Sequence, residues 1–140
     1  MRILIIDGQG GRIGRLICES IKKEYAAQDA SVEITAVGTN GAATEAMLRG
    51  GADHAATGEN AVIVACRRAG IIVGPVGIVL ADSLYGEVTP AMAAAVARSE
   101  ATRVLIPVNK CDTMIAGVGD APLSQLIDDA LYKIREIIKA

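Results

Sequence analysis

The sequence predicts an α/β fold: a three-layer, Rossmann-like, doubly wound and mostly parallel sheet of five or six strands, with an antiparallel edge strand as the candidate sixth. Three observations lead there. Short β-rich runs alternate with helical patterns from end to end, as in βαβ units. The first run, Arg2 to Asp7, has an unbroken apolar interior, which suits a strand covered on both faces. That run then passes through a glycine cluster straight into an amphipathic segment.

After the first strand, Ile13, Leu16, Ile17, Ile21 and Tyr25 recur at helical spacing with charged residues between them, so the segment is an amphipathic helix. Val32 to Val37 is the second strand, Ala42 to Arg49 the second helix, Asp53 to Ala56 a short third strand and Glu59 to Ala69 the third helix. Ile71 to Val73 is a fourth strand. Gly74-Pro75 is expected to stop it, because proline donates nothing to a ladder and restricts the residue before it. Ile78 to Leu84 reads as a short buried helix. Thr89-Pro90 is a helix start, with a hydroxyl to cap and proline in the first turn, and Ala91 to Arg98 continues it. Arg103 to Val108 is strand five. The apolar run Met114 to Val118 follows so closely that a strand there would pair with it as an antiparallel hairpin. The last helix is expected to begin near Asp120 and Pro122 and to dock through Leu126, Ile127, Ala130, Leu131, Ile134 and Ile138.

No linker, repeat or low-complexity tract interrupts residues 1–140, so one domain is expected. Right-handed crossovers then give the strand order 3-2-1-4-5, with the flavodoxin-like 2-1-3-4-5 as the alternative. In both, ligands bind at the carboxyl ends of the strands.

Composition excludes several classes. The chain has 140 residues, 51% apolar, with 15 Gly, no Phe or Trp, three Tyr and a net charge of −2. Nucleic-acid binders need positive charge and, for single strands, aromatic faces, so no nucleic-acid partner is expected. Flavin ranks low for the same lack of rings. No uncharged stretch approaches the roughly 20 residues that cross a bilayer, and the start lacks a secretory pattern, so a cytoplasmic protein away from membranes is expected. Three cysteines without C-x-x-C spacing suggest reduced thiols and no metal site. The apolar surplus of Ile71 to Ala81 and Ala91 to Ala97 is compatible with a homodimer.

The glycine cluster carries the main functional expectation. Asp7-Gly8-Gln9-Gly10-Gly11-Arg12-Ile13-Gly14 reads as G-x-x-G-x-x-G over Gly8, Gly11 and Gly14. Glycines there suit a tight turn, a phosphate and a helix–strand crossing, and the free N–H groups of a helix start favour an anion. Gly8, Gln9, Gly10, Gly11, Arg12, Ile13 and Gly14 are therefore the candidate binding residues for a small phosphate-bearing ligand. The alternative is a glycine turn needed only for packing.

This loop resembles the nucleotide loop of dihydrodipicolinate reductases, where a similar Gly-x-x-Gly-Arg-hydrophobic-Gly-Arg run binds NADPH. The resemblance ends after helix one, and the chain lacks room for that enzyme's second domain. Over its whole length the sequence is similar to a family of small bacterial proteins described as a domain of unknown function. Ile6-Asp7-Gly8-Gln9-Gly10-Gly11, Gly38-Thr39-Asn40, Ala56-Thr57-Gly58-Glu59-Asn60-Ala61, Gly74-Pro75-Val76-Gly77-Ile78 and Leu105-Ile106-Pro107 carry that similarity. It implies a fold and no activity.

Gly38-Thr39-Asn40 ends strand two. NAD-binding folds place an acid here and NADP-binding folds an Arg nearby; neither is present. Thr39 and Asn40 are ribose or phosphate ligands on one reading and helix caps on the other. NAD(P) or an adenine nucleotide is the expected ligand, with NADP slightly favoured over NAD. Gly74 and Pro75 are added as loop residues at the same edge.

Four residues are candidates for chemistry in a small enzyme acting on a phosphorylated metabolite. Cys111 and Lys110 lie together, and a cation lowers a thiol pKa. His54 is the lone histidine, expected near the carboxyl edge of strand three. Glu59 could serve as a base, although a solvated first-turn Glu is the plainer account. Asn109-Lys110-Cys111-Asp112 matches the N-K-x-D guanine motif, but the phosphate loop a GTPase requires is missing. The Tyr-x-x-x-Lys pair of short-chain dehydrogenases is also missing. A non-catalytic interaction or metal-handling role is the remaining alternative.

Overall fold

The computed structural model describes residues 1–25, 31–108 and 112–140. Five strands, β1 (Arg2–Asp7), β2 (Glu33–Gly38), β3 (His54–Thr57), β4 (Ile71–Pro75) and β5 (Thr102–Ile106), form one sheet in the order β3-β2-β1-β4-β5. All four pairings are parallel. This is the doubly wound 3-2-1-4-5 order, with the switch point between β1 and β4. The 2-1-3-4-5 alternative is excluded.

Alternation along β1 separates two cores. Ile3 and Ile5 point to the layer of α1 (Arg12–Glu24), α2 (Gly41–Arg49) and α5 (Leu123–Lys139), meeting Ile17, Met47 and Ile134. Leu4 and Ile6 point to α3 (Glu59–Cys66) and α4 (Pro90–Arg98), meeting Val62 and Val96. Both apolar runs that suggested a homodimer feed these cores: Ile71, Ile72, Val73, Ile78, Met92 and Val96 are all buried. Among the described residues, no helix is long and apolar enough to cross a membrane.

Helix starts follow the capping chemistry of the sequence. Asn40 Oδ1 accepts the Ala43 N–H at 2.9 Å, and Thr89 Oγ1 accepts the Met92 N–H at 3.1 Å with Pro90 beside it.

Three expectations are corrected. Gly74 and Pro75 do not form a loop. They are the buried end of β4, paired with Leu105 and Ile106, because proline at a strand's last position gives up little and the glycine lets the Ile6 carbonyl of β1 lie close. Ile78 to Leu84 is not one helix. A single 3₁₀ turn, Val76–Val79, passes into tight turns, with Ile78 and Leu84 buried. Met114 to Val118 forms no strand, and the described residues contain no sixth one. Gly117 sits at φ +83°, which breaks an extended path, and Met114 is exposed. The last helix starts at Leu123 with Pro122 as its N-cap, as expected.

Candidate functional site

The turn from β1 into α1 is organised from beneath by Asp7. Its carboxylate is buried and accepts the Gly8 N–H at Oδ1 (2.8 Å) and the Gly14 N–H at Oδ2 (2.7 Å). Burial pushes the Asp7 pKa up, more than the N–H bonds from Gly14 and Gly8 push it down, and the negative charge of Glu87 adds to the rise. Within the turn the Gly11 N–H donates to the Gly8 carbonyl at 2.9 Å.

The glycines of this turn divide by role. Gly11 has φ +71°, and a Cβ on it would lie 2.7 Å from the Ala43 Cα of α2. At Gly14 a Cβ would lie 2.5 Å from Met47 Sδ and 2.9 Å from Asp7 Cβ. Both are required where α1 crosses α2 and β1, so packing alone explains them. Gly10 differs, because a Cβ there meets nothing within 4 Å. Neither the Gly10 N–H nor the Arg12 N–H has a partner among the described residues, and the exposed Arg12 side chain makes no ion pair there.

Gly10 and Arg12 open on a cleft of about 320 Å³, whose opposite wall includes Val108 and Leu123, the first residue of α5. α1 and α5 therefore both present their N-terminal ends near it. Neither N-cap residue supplies a side-chain cap and neither first turn contains an acid, but at α1 the Asp7 carboxylate takes the Gly14 N–H from beneath, so the dipole end without a side-chain cap is that of α5. A larger cavity of about 880 Å³ runs along the β5 edge and α5, where Lys133 and Asp129 pair with each other at 2.8 Å; it lies away from the glycine turn.

On the β2 side of the turn the predicted residues Gln9, Thr39 and Asn40 come together around a carboxylate that sequence reasoning missed. Glu87 Oε1 accepts from the Gln9 N–H (2.9 Å), Thr39 Oγ1 (2.7 Å) and Asn40 Nδ2 (2.6 Å). Partial burial works against the charge, but these three hydrogen bonds outweigh it and hold the Glu87 pKa below its ordinary value. Asn40 Nδ2 also reaches the Gln9 carbonyl at 2.9 Å, and the Thr39 N–H donates to the Asp7 carbonyl at 3.0 Å. Asn40 thus caps α2 and binds across the edge at once. Gly38 is a close-packing glycine, since a Cβ on it would meet the Thr44 nitrogen at 2.5 Å. One signal for Glu87 existed: Asp82, Ser83 and Gly86 mark a turn after β4, on the ligand edge, with Glu87 at its end.

The candidate catalytic residues do not converge. His54 begins β3, paired with Thr35 at the amino end of the sheet, and stands 3.5 Å from Glu33 with 65% of its side chain exposed. It is therefore remote from the glycine turn, contrary to expectation. Glu59 lies in the first turn of α3 and accepts from Thr89 Oγ1 at 2.5 Å. Lys110 and Cys111 lie outside the described residues. Burial pushes the Cys18 and Cys66 thiols up to about 12 and about 11, which leaves them unreactive near neutral pH. Among the described residues, no group of three or more His, Cys, Asp or Glu could hold a metal ion.

The 3-2-1-4-5 parallel sheet, with helices on both faces and a glycine turn opening α1 at the switch point, defines a Rossmann-like α/β protein. Within that class the chain belongs to the family described as domain of unknown function DUF3842, whose match spans residues 2–139. No curated protein and no solved structure matches it.

Proposed function

We propose that this protein binds a small phosphate-bearing ligand, an adenine nucleotide or NAD(P), with its phosphate at the Gly8–Gly14 turn. The observation that carries the reading is Gly10: a glycine that packing does not require, beside Arg12 at a cleft, with neither the Gly10 N–H nor the Arg12 side chain partnered among the described residues. Backbone N–H groups at a helix start suit phosphate oxygens, and Arg12 adds a fixed positive charge. The helix end at Leu123, which has no side-chain cap, adds to the same field. The cleft is at the small end of ligand sites, so it favours a mononucleotide or one half of a dinucleotide.

Calorimetry and thermal unfolding with AMP, ADP, NAD and NADP test this. A ligand at one hundred times its Kd adds about 2.7 kcal/mol, which raises the Tm of a domain this size by roughly 10 °C. Gly10→Val is expected to abolish that rise and leave the unliganded Tm nearly unchanged, because a Cβ at this position meets nothing within 4 Å. The reading is lost if none of the four nucleotides shifts the Tm at millimolar concentration, or if Gly10→Val binds as the parent does.

A further inference from the structure

No acid follows β2 in the sequence, yet the structure brings one to that place. Glu87 reaches back from the β4–α4 connection to Thr39 and Asn40, the two residues directly after β2, and to the Gln9 N–H of the glycine turn. All three donors fall on Oε1. The second oxygen, Oε2, takes no hydrogen bond among the described residues, and the side chain is only half-buried. A carboxylate fixed by one oxygen with the other left open can accept hydrogen bonds from hydroxyls, and it repels a second anion. A carboxylate at the tip of the second strand reads a ribose 2′-hydroxyl when a nucleotide phosphate sits at the first turn.

We propose that Glu87 is the specificity-determining residue of the site, reading the ribose hydroxyl of a bound nucleotide and rejecting ligands that carry a 2′-phosphate. This rests on the nucleotide reading above. It reverses the slight preference for NADP drawn from the sequence, where the β2 tip showed neither acid nor arginine. Thr39 and Asn40 become positioning residues that hold Glu87, rather than direct ligands of the ribose.

Calorimetric titration of the full chain with AMP, 2′-deoxy-AMP and adenosine 2′,5′-bisphosphate tests it. AMP is expected to bind about tenfold or more tighter than the bisphosphate, since like charges disfavour the wrong ligand. It is expected to bind several-fold tighter than the deoxynucleotide, which leaves Oε2 without its donor. Glu87→Gln is expected to narrow the bisphosphate ratio at least threefold while AMP still binds. If Glu87→Gln does not fold, Glu87→Asp keeps the charge, withdraws the carboxylate by one methylene and is expected to weaken the dependence on the 2′-hydroxyl. Equal or tighter binding of the bisphosphate, indifference to the 2′-hydroxyl, or unchanged ratios in the folded variants would overturn the role of Glu87 and leave nucleotide binding intact. Failure of all three ligands to bind would overturn this inference, and if ADP, NAD and NADP fail as well, the underlying reading falls with it.

Discussion

Two connections leave the sheet on either side of the switch point, and they are built in opposite ways. The β1–α1 turn, Gly8 to Gly11, is short and held from within: Asp7 gathers N–H groups from beneath it, and glycines admit its neighbours. The β4–α4 connection, from Val76 to Thr89, is long and held by what its side chains reach. Leu84 and Val88 enter the α3/α4 core, Ser83 Oγ donates to the Gly77 carbonyl at 2.5 Å, and Glu87 crosses to the first turn. It also carries three non-glycine residues in the left-handed region, Asp82 (φ 65°), Leu84 (φ 55°) and Tyr85 (φ 57°), followed by Gly86. A backbone-built turn is stamped by its glycines, whereas a side-chain-built strap takes its meaning from where it lands.

The sharpest break of this contrast is at Asp7. Asp7→Ala would strand the buried Gly8 and Gly14 N–H groups, and at about 1–3 kcal/mol for each unsatisfied donor the expected loss is about 4 kcal/mol. Urea unfolding measures it, and a loss below about 1 kcal/mol would mean that the turn holds itself without the carboxylate. Leu84→Ala removes the strap's apolar anchor and is expected to cost about 3 kcal/mol, as buried Leu→Ala changes do. If the loss is confined to local hydrogen exchange in the strap, with the global midpoint unchanged, Leu84 is a tether and not part of the core.

Tyr85 tests the strap from its exposed tip. Its side chain is 98% exposed, so its left-handed backbone is not compensated by packing of the ring. Tyr85→Asn is expected to raise stability by about 1 kcal/mol, since asparagine tolerates this conformation better; a loss would show that the ring supports the strap after all.

The smallest effect lies in the pH dependence, where the two acids act with opposite sign. Glu87 ionises more readily in the fold than its ordinary value of 4.5, so its contribution is full above that value and is lost as pH falls through the lowered pKa. Asp7 is raised above its ordinary 3.8, so the folded state loses stability as pH rises from that value through the raised one. Urea midpoints between about pH 3 and 7 should therefore show Glu87→Gln flattening the acid-side loss and Asp7→Asn flattening the opposing slope. Parallel curves for parent and variants would mean that neither acid couples to folding.

Much of the fold was legible because its signals are local. Unbroken apolar strands, helical spacing from Ile13 to Ile21, and caps at Asn40 and Thr89 are each decided within a few residues. Errors arose where a local signal was overruled by a neighbour. Pro75 reads as a stop, but β5 pairs with it at a position where no donor is missed. Met114 to Val118 reads as a strand, but Gly117 turns the chain. At the site, the glycine turn and Thr39-Asn40 were found, while Glu87 was missed because its partners lie 78, 48 and 47 residues away in the chain.

By itself the sequence determined the layers and the parallel α/β class and narrowed the strand order to two, since apolar periodicity and crossover handedness leave few other ways to bury these residues; the tertiary structure chose β3-β2-β1-β4-β5. Only the tertiary structure decided which glycines are free for a ligand and which are filled by neighbours. It also placed an acid at the β2 tip. Both depend on contacts between segments distant in the chain, and a Cβ clash or a hydrogen bond across such a distance leaves no mark on residue spacing.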